Sequence, residues 1–159
     1  MTDNGSLDLE SMLGLDEKVS KQIGCMSTKG YAAWLQETFD LAKPPHIYTS
    51  KIKLKNVIPT QYAVPFDYEK RVAEFLETPV TAVKLNYPEC QMYIVIGHMR
   101  GLVLVNRGIK TTQAFIIDLT EEDSQIQNNI TDVYERCAPK NINTFRNPSY
   151  LRLTHLEIL

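Results

Sequence analysis

The sequence predicts an α+β fold: a mostly antiparallel sheet of four to six strands, with three or four helices packed on one side of it. The main observation is a central segment, Gln91–Asp118, with three apolar runs at Met92–Ile96, Leu102–Val105 and Gln113–Asp118. Runs of this length that are rich in β-branched residues and bounded by glycine are typical of strands, and their lack of alternation indicates burial on both faces. The segment is therefore interpreted as three consecutive strands joined by two short turns.

Four helices are predicted from apolar positions at helical spacing and from residues that start or stop helices. Proline residues end three of them, at Pro44, Pro79 and Pro139, and Thr120 precedes three acidic residues, which favour the positive end of a helix dipole. In chain order, the predicted helices lie within Leu7–Ile23, from a Ser27 or Thr28 cap to about Ala42, over Tyr68–Thr78, and from the Thr120 cap to Pro139.

The other strands are predicted from alternation and from short apolar runs. His46–Lys55 alternates between two faces, which is typical of a half-buried strand. One face carries Lys51, Lys53 and Lys55. A row of lysines usually protects an edge strand from unwanted pairing with another strand. In the alternative interpretation, these lysines contact phosphate or lipid head groups. Further strands are predicted at Val80–Leu85 and within Ser149–Leu159, with irregular segments at Val57–Pro65 and Asn141–Pro148.

Length and charge indicate one domain of ordinary type. A chain of 159 residues fits a single globular unit, and we expect residues 24–159 to form it after a flexible or amphipathic N-terminal segment, residues 1–23. Residues 1–40 carry seven acidic and three basic side chains, net −4, and the rest of the chain carries 12 acidic and 14 basic ones, net +2. The total of −2 does not favour nucleic acid as a partner, and no nucleic-acid-binding motif is present.

Cysteine usage and hydropathy limit the cellular environment. Cys25, Cys90 and Cys137 are scattered and form no CxxC pair, so neither a zinc site nor a disulfide framework is predicted. The first residues lack the pattern of a signal peptide, and no apolar run approaches the roughly 18 residues of a membrane span. We therefore expect a cytoplasmic protein that is neither secreted nor transmembrane and that uses no cofactor.

The candidate for chemistry is the predicted turn Gly97–Gly101 between the first two central strands. His98 and Arg100 lie in it, and together they could hold an anionic group or present a base at a strand end. No P-loop, nucleophile elbow or metalloprotease motif accompanies them. A solvated hairpin tip is the simpler interpretation. No catalytic constellation is found, so the protein is expected not to be an enzyme.

The N-terminal segment is the candidate interaction element. Its apolar residues Leu9, Met12, Leu13 and Leu15 have partly helical spacing, interrupted by Gly14. A helix of this kind either packs on its own domain or detaches and folds against a partner. Both alternatives remain open from the sequence.

The order of elements resembles that of a viral family. A strand at Tyr48–Leu54, a helix at Tyr68–Thr78 and a strand at Met92–Gly97 are similar in layout to the globular domain of rhabdovirus matrix proteins, and the length suits the short, plant-infecting type. Ser11–Leu15 also looks like the leucine-glycine-leucine element near the start of some matrix proteins. Two features depart from the family: the N-terminal region is acidic instead of basic, and the PPxY motif is missed because Tyr48 lies one place late.

Two main functions are predicted from these features, and a third possibility is modest, salt-sensitive nucleic-acid binding along the face of Lys51, Lys53 and Lys55. The first is a non-enzymatic structural protein that self-associates as a homo-oligomer or docks another protein. The resemblance implies a virion-associated matrix role, with a nucleocapsid and a peripheral membrane surface as partners and with surface charges at Lys51, Lys53, Lys55, Arg100 and Arg107. The alternative is a binder of small anionic ligands, or a hydrolase, that uses His98 and Arg100.

Overall fold

The computed structural model describes residues 8–61, 63–64, 67–137 and 152–153. In chain order its elements are α1 (Leu9–Ile23), α2 (Thr28–Thr38), β1 (His46–Lys53), β2 (Ile58–Pro59), β3 (Ala63–Val64), α3 (Tyr68–Val72), β4 (Val80–Leu85), β5 (Gln91–Ile96), α4 (His98–Asn106), β6 (Thr111–Asp118), α5 (Ser124–Cys137) and β7 (Arg152–Leu153), with 3₁₀ turns at Leu54–Asn56 and Ala73–Phe75. The α+β class is therefore confirmed.

The main sheet has five strands in the order β1-β6-β4-β5-β2. The β1–β6 and β4–β5 pairs are antiparallel, whereas the β4–β6 and β5–β2 pairs are parallel. The sheet is mixed, and the prediction of a mostly antiparallel sheet holds only in part because α4 carries the chain past β4 after β5. As a result, β6 pairs with β4 on the edge opposite to β5, and the two strands run parallel. A tight hairpin turn cannot make this connection.

Helices cover both faces of the sheet, and the prediction that they pack on one side is wrong. On one face Val80 of β4 packs with Leu104 of α4. On the other face Val83 of β4 packs with Leu35 of α2 and Ile130 of α5. Alternate residues of β4 thus enter two separate cores, as the period of a strand requires. Burial on both faces also explains why β4 shows no polar alternation.

The segment Leu102–Val105 forms the middle of α4, so its assignment to a strand is wrong. A four-residue apolar run does not distinguish a buried strand from a buried helix. Here Leu102, Val103 and Leu104 are all buried because α4 packs against the sheet core, and α3 contacts it as well. The neighbouring strand predictions are confirmed as β5 and β6.

Helices α1 and α2 are joined by a buried capping interaction. Ser27 is the N-cap of α2, and its hydroxyl accepts a hydrogen bond from Gly30 N at 3.1 Å. Asp16 of α1, which is 1% exposed, accepts a second one from Thr28 N at 2.7 Å through Oδ2. A carboxylate at this position satisfies an otherwise free N–H group and the helix dipole. The Thr28 hydroxyl lies 2.7 Å from that of Thr81, so α1, α2 and β4 are linked in series.

In the C-terminal part of the chain one sequence prediction changes, and others lie mostly outside the described residues. Helix α5 begins after Asp123, whose Oδ1 accepts a hydrogen bond from Ile126 N at 2.9 Å, whereas the Thr120 hydroxyl bonds to Asp118 instead. The predicted irregular segment Asn141–Pro148 lies outside the described residues. So does Ser149–Leu159 apart from β7, which pairs in parallel with β3.

Candidate functional site

Gly97 positions the candidate site by turning the chain from β5 directly into α4. Its φ of +102° lies in the left-handed region, and a Cβ at this position would lie 2.6 Å from Cγ1 of Val80. Only glycine adopts this conformation without strain in so little space. The segment predicted to be a solvated hairpin tip is therefore a helix N-terminus against the sheet, and both His98 and Arg100 are buried.

His98 serves as a buried neutral acceptor. It is 4% exposed, and its Nε2 accepts a hydrogen bond from Thr60 N at 3.0 Å. An imidazole nitrogen that accepts a hydrogen bond is unprotonated. Burial lowers the pKa of His98 from its ordinary value of 6.5 to about 3, because desolvation disfavours the charged form. His98 is thus uncharged at neutral pH, and it does not supply the positive charge that the anion-binding hypothesis gave it.

Arg100 is the buried cation of the site. Its side chain is 2% exposed, and Nη1 donates to the carbonyl oxygens of Thr78 at 3.1 Å and Pro79 at 3.2 Å. Among the described residues, Nε and Nη2 of Arg100 have no hydrogen-bond partner, and no carboxylate lies within ion-pair distance of its guanidinium. Burial lowers the pKa of Arg100, whereas the nearby Cys25 and Asp16 raise it. The guanidinium still keeps its charge, because an arginine does not lose its proton in proteins.

A cavity of about 240 Å³ lies at the start of α4. The first turn of a helix presents N–H groups that have no intrahelical acceptor, together with the positive end of the dipole. Gly97 is the N-cap and has no side chain to satisfy them. Five polar residues and seven others line the cavity. The polar ones are Cys25, Tyr31, Gln61, His98 and Arg100, and the others are Ile23, Met26, Val72, Val95, Ile96, Gly97 and Met99. The combined positive charge of the helix end and the guanidinium suits an anion.

A buried polar group lies on α1. Oδ2 of Asp16 is used by Thr28 N, but Oδ1 of Asp16 and Oγ of Ser20 have no hydrogen-bond partner among the described residues. Asp16 acts on Arg100 from beyond ion-pair distance. Its charge therefore only partly offsets that of the guanidinium, since electrostatic attraction falls with distance.

The predicted lysine row does not join His98 and Arg100. Lys51 and Lys53 are exposed on β1, which is an edge strand as predicted, and Lys55 is exposed in the following 3₁₀ turn. Arg107 is the exposed C-cap of α4, about 13 Å along the helix axis from its start at 1.5 Å per residue. His98 and Arg100 thus lie at the start of α4, whereas Lys53, Lys55 and Arg107 lie near its end.

The N-terminal candidates occupy different environments on α1. Leu13 is 3% exposed, Leu9 and Met12 are half-buried, and Leu15 is 48% exposed. The buried face of the helix consists of Leu13, Asp16 and Ser20. The expectation of an apolar stripe thus holds only in part, because polar residues occupy two of these three positions.

Several residues of the cavity were not found by sequence reasoning. Tyr31, Gln61 and Cys25 come from α2 and from two loops that are distant from Gly97 in the chain. No local motif connects them with α4. The glycine before a His-x-Arg segment was the one available signal, and it was interpreted as a strand turn.

Comparisons with known proteins identify the fold alone. No family model and no curated protein matches the chain, whereas four chains of solved structures do. One is the crystal structure of protein Atu1540 from Agrobacterium tumefaciens, with a TM-score of 0.50 and 18% sequence identity over 71% of this chain. The matched part spans 65% of that protein's length. Likeness at this identity supports a shared arrangement of elements and transfers no activity.

Two further features are absent from the described ranges. No helix there is both long and apolar enough to cross a membrane. No three or more histidine, cysteine, aspartate or glutamate residues are grouped there to hold a metal ion.

Proposed function

We propose that the protein binds a small ligand through an anionic group held at the start of α4. The observation that supports this most directly is Arg100, a cation that is 2% exposed and bonded only to two carbonyl oxygens within the described part of the chain. Burying a charge without a counterion is costly. An anion that reaches the remaining guanidinium nitrogens would compensate that cost.

The surroundings favour a phosphate-bearing ligand with a small organic part. Phosphate and carboxylate groups match the geometry of a guanidinium and of the N–H groups at a helix N-terminus. The volume of about 240 Å³ is below the range of roughly 300–1,000 Å³ typical of sites for drug-sized ligands. Ile23, Met26 and Met99 would contact the apolar part of the ligand.

The side chains at this site are suited to binding a ligand and not to catalysing its hydrolysis. A general base must accept a proton at the operating pH, but His98 already accepts the Thr60 N–H group at Nε2 and is buried. Its lowered pKa, about 3, disfavours a charged intermediate. We therefore infer that the role of His98 is to hold the loop at Thr60 in position through its hydrogen bond. For this reason we favour a binding protein over a hydrolase.

Replacing Arg100 with methionine should weaken binding of inorganic phosphate or pyrophosphate by about 10- to 100-fold, because a hydrogen bond to a charged group contributes roughly 1.5–3 kcal/mol. Isothermal titration calorimetry on both proteins measures the change. Arg107→Met is the matched control, since Arg107 lies at the other end of the same helix and is exposed; it should alter affinity less than twofold. Equal losses in the two variants, or no binding to the unaltered protein at millimolar phosphate, would refute the proposal.

A second candidate function is self-association through α1, and a separate observation favours it. Leu15 on α1 and Trp34 on α2 are 48% and 38% exposed, and exposed apolar side chains of this size are common at contacts between proteins. The resemblance to matrix proteins extends this proposal to assembled copies that bridge a nucleocapsid and a membrane surface.

Light scattering across a concentration range tests self-association in the full chain. The mass should rise with concentration, and Leu15→Glu should reduce that rise because it places a charge at the apolar contact. Ser11→Glu, at another exposed position of α1, is the control and should leave the rise unchanged. A constant monomer mass at all concentrations would rule this function out.

A further inference from the structure

Charge is segregated along the chain in a way that the net value conceals. Residues 41–66 contain four lysines and no acidic residue, and residues 90–117 contain Arg100, Arg107 and Lys110 and no acidic residue. The antiparallel pairing of β1 with β6 brings the two stretches together, with Lys53 opposite Thr111. Leu54 N also donates to Lys110 O at 2.9 Å. One end of this strand pair is therefore basic in a protein whose net charge is −2.

The C-terminus of α4 forms one wall of a cleft at this basic end. Gly108 N donates to Val105 O and Ile109 N donates to Leu104 O, each at 2.9 Å, with Gly108 in the left-handed region at φ +79°. This pair of bonds is a Schellman motif, which ends a helix and turns the chain sharply. The turn holds Ile109 beside Leu54 and Val105, and together with both strand ends it encloses about 460 Å³.

The cleft has an apolar interior and a cationic rim. Leu54, Val105 and Ile109 supply the apolar surface, and Ile109 is 42% exposed although the motif usually packs that residue against the helix. Lys53, Lys55 and Lys110 surround it, all exposed. None of these lysines forms an ion pair with a described residue. Apolar lining with a few charged groups at the edge is the usual composition of a small-molecule site, and the volume lies in the typical range of roughly 300–1,000 Å³.

We propose that this cleft binds a free amphiphilic anion: a single short alkyl chain that ends in a carboxylate or a phosphate. The chain would cover Ile109 and the apolar floor, and the head group would meet the three lysines. Inorganic phosphate alone would leave the apolar floor exposed, and a neutral amphiphile would leave the lysine charges unmatched. The cleft is concave and of single-ligand size, which fits one molecule in solution better than a flat bilayer surface.

Decanoate titrated below its micelle concentration provides the test, observed by NMR at the Ile109 methyl groups in the full chain. We expect saturable shifts that weaken as salt is added, because exposed charges are screened. The variant Lys53→Glu/Lys55→Glu/Lys110→Glu should bind at least tenfold more weakly. The control Lys18→Glu/Lys21→Glu/Lys43→Glu makes the same change in net charge at exposed lysines outside the cleft, and it should bind as the unaltered protein does.

Four results would overturn the inference: no shift at Ile109, equal affinity for neutral decyl glucoside, equal shifts with inorganic phosphate alone, or equal weakening in the control variant. Unfolding midpoints for both lysine variants establish that each is folded. Arg100→Met should leave the decanoate response at Ile109 intact. A result that contradicts the cleft proposal can therefore be distinguished from one that contradicts the proposed anion site at the start of α4.

Discussion

Alanine at position 97 is expected to lower the free energy of unfolding by about 2–5 kcal/mol. The residue has a φ of +102°, and the new Cβ would lie 2.6 Å from Cγ1 and 2.9 Å from Cβ of Val80. A left-handed conformation costs a residue with a Cβ roughly 1–2 kcal/mol, and overpacking a well-filled core costs roughly 1–3 kcal/mol more. Denaturant unfolding of the two proteins measures the difference.

Alanine variants at two other glycines separate the cost of backbone strain from the cost of the clash with Val80. Gly108 has a φ of +79° but no atom within 4 Å of an added Cβ, so Gly108→Ala should cost only the strain, about 1 kcal/mol. Gly14 lies within α1 and also has open space around it, so Gly14→Ala should stabilise the protein by about 0.5–1 kcal/mol. Equal losses at positions 97 and 108 would show that Val80 does not restrict the start of α4.

The protein should lose stability in acid as a result of His98. Its pKa is about 3 in the folded protein against an ordinary value of 6.5, so the unfolded chain binds a proton more readily than the folded one between these two values. Stability is therefore complete above pH 6.5 and declines as the pH falls toward 3. From this linkage the loss due to His98 is about 2 kcal/mol at pH 5 and about 4 kcal/mol near pH 3.

Unfolding measurements from pH 7.5 to pH 4 in matched variants isolate that effect. His98→Gln keeps an acceptor near Thr60 N without the titrating ring, so it should flatten the decline below pH 6.5 even if it lowers stability at pH 7.5. His46→Gln is the control, since His46 is exposed and should leave the decline unchanged. If His98→Gln retains the full slope, His98 is not the group responsible.

Much of the secondary structure could be predicted from the sequence because it depends on local patterns. Alternation identified β1, and its lysines marked it as an edge strand, which the sheet order confirms. Ser27 and Thr28 were the two candidate caps that identified the start of α2, since a hydroxyl at the N-cap satisfies N–H groups within its own turn, and the structure selects Ser27. Apolar runs identified β5 and β6. Each of these signals lies within a few residues of the feature that it predicts.

The sequence by itself therefore determined the fold class, the approximate positions of most helices and strands, and the basic edge strand. The tertiary structure alone decided that Leu102–Val105 is helical, since a short apolar run is equally compatible with a buried helix. It also decided the strand order and the chemistry of the site. Burial makes His98 neutral and leaves Arg100 as a cation with no carboxylate of a described residue within ion-pair distance. Those properties depend on solvent exclusion by residues that are distant in the chain, which local pattern does not encode.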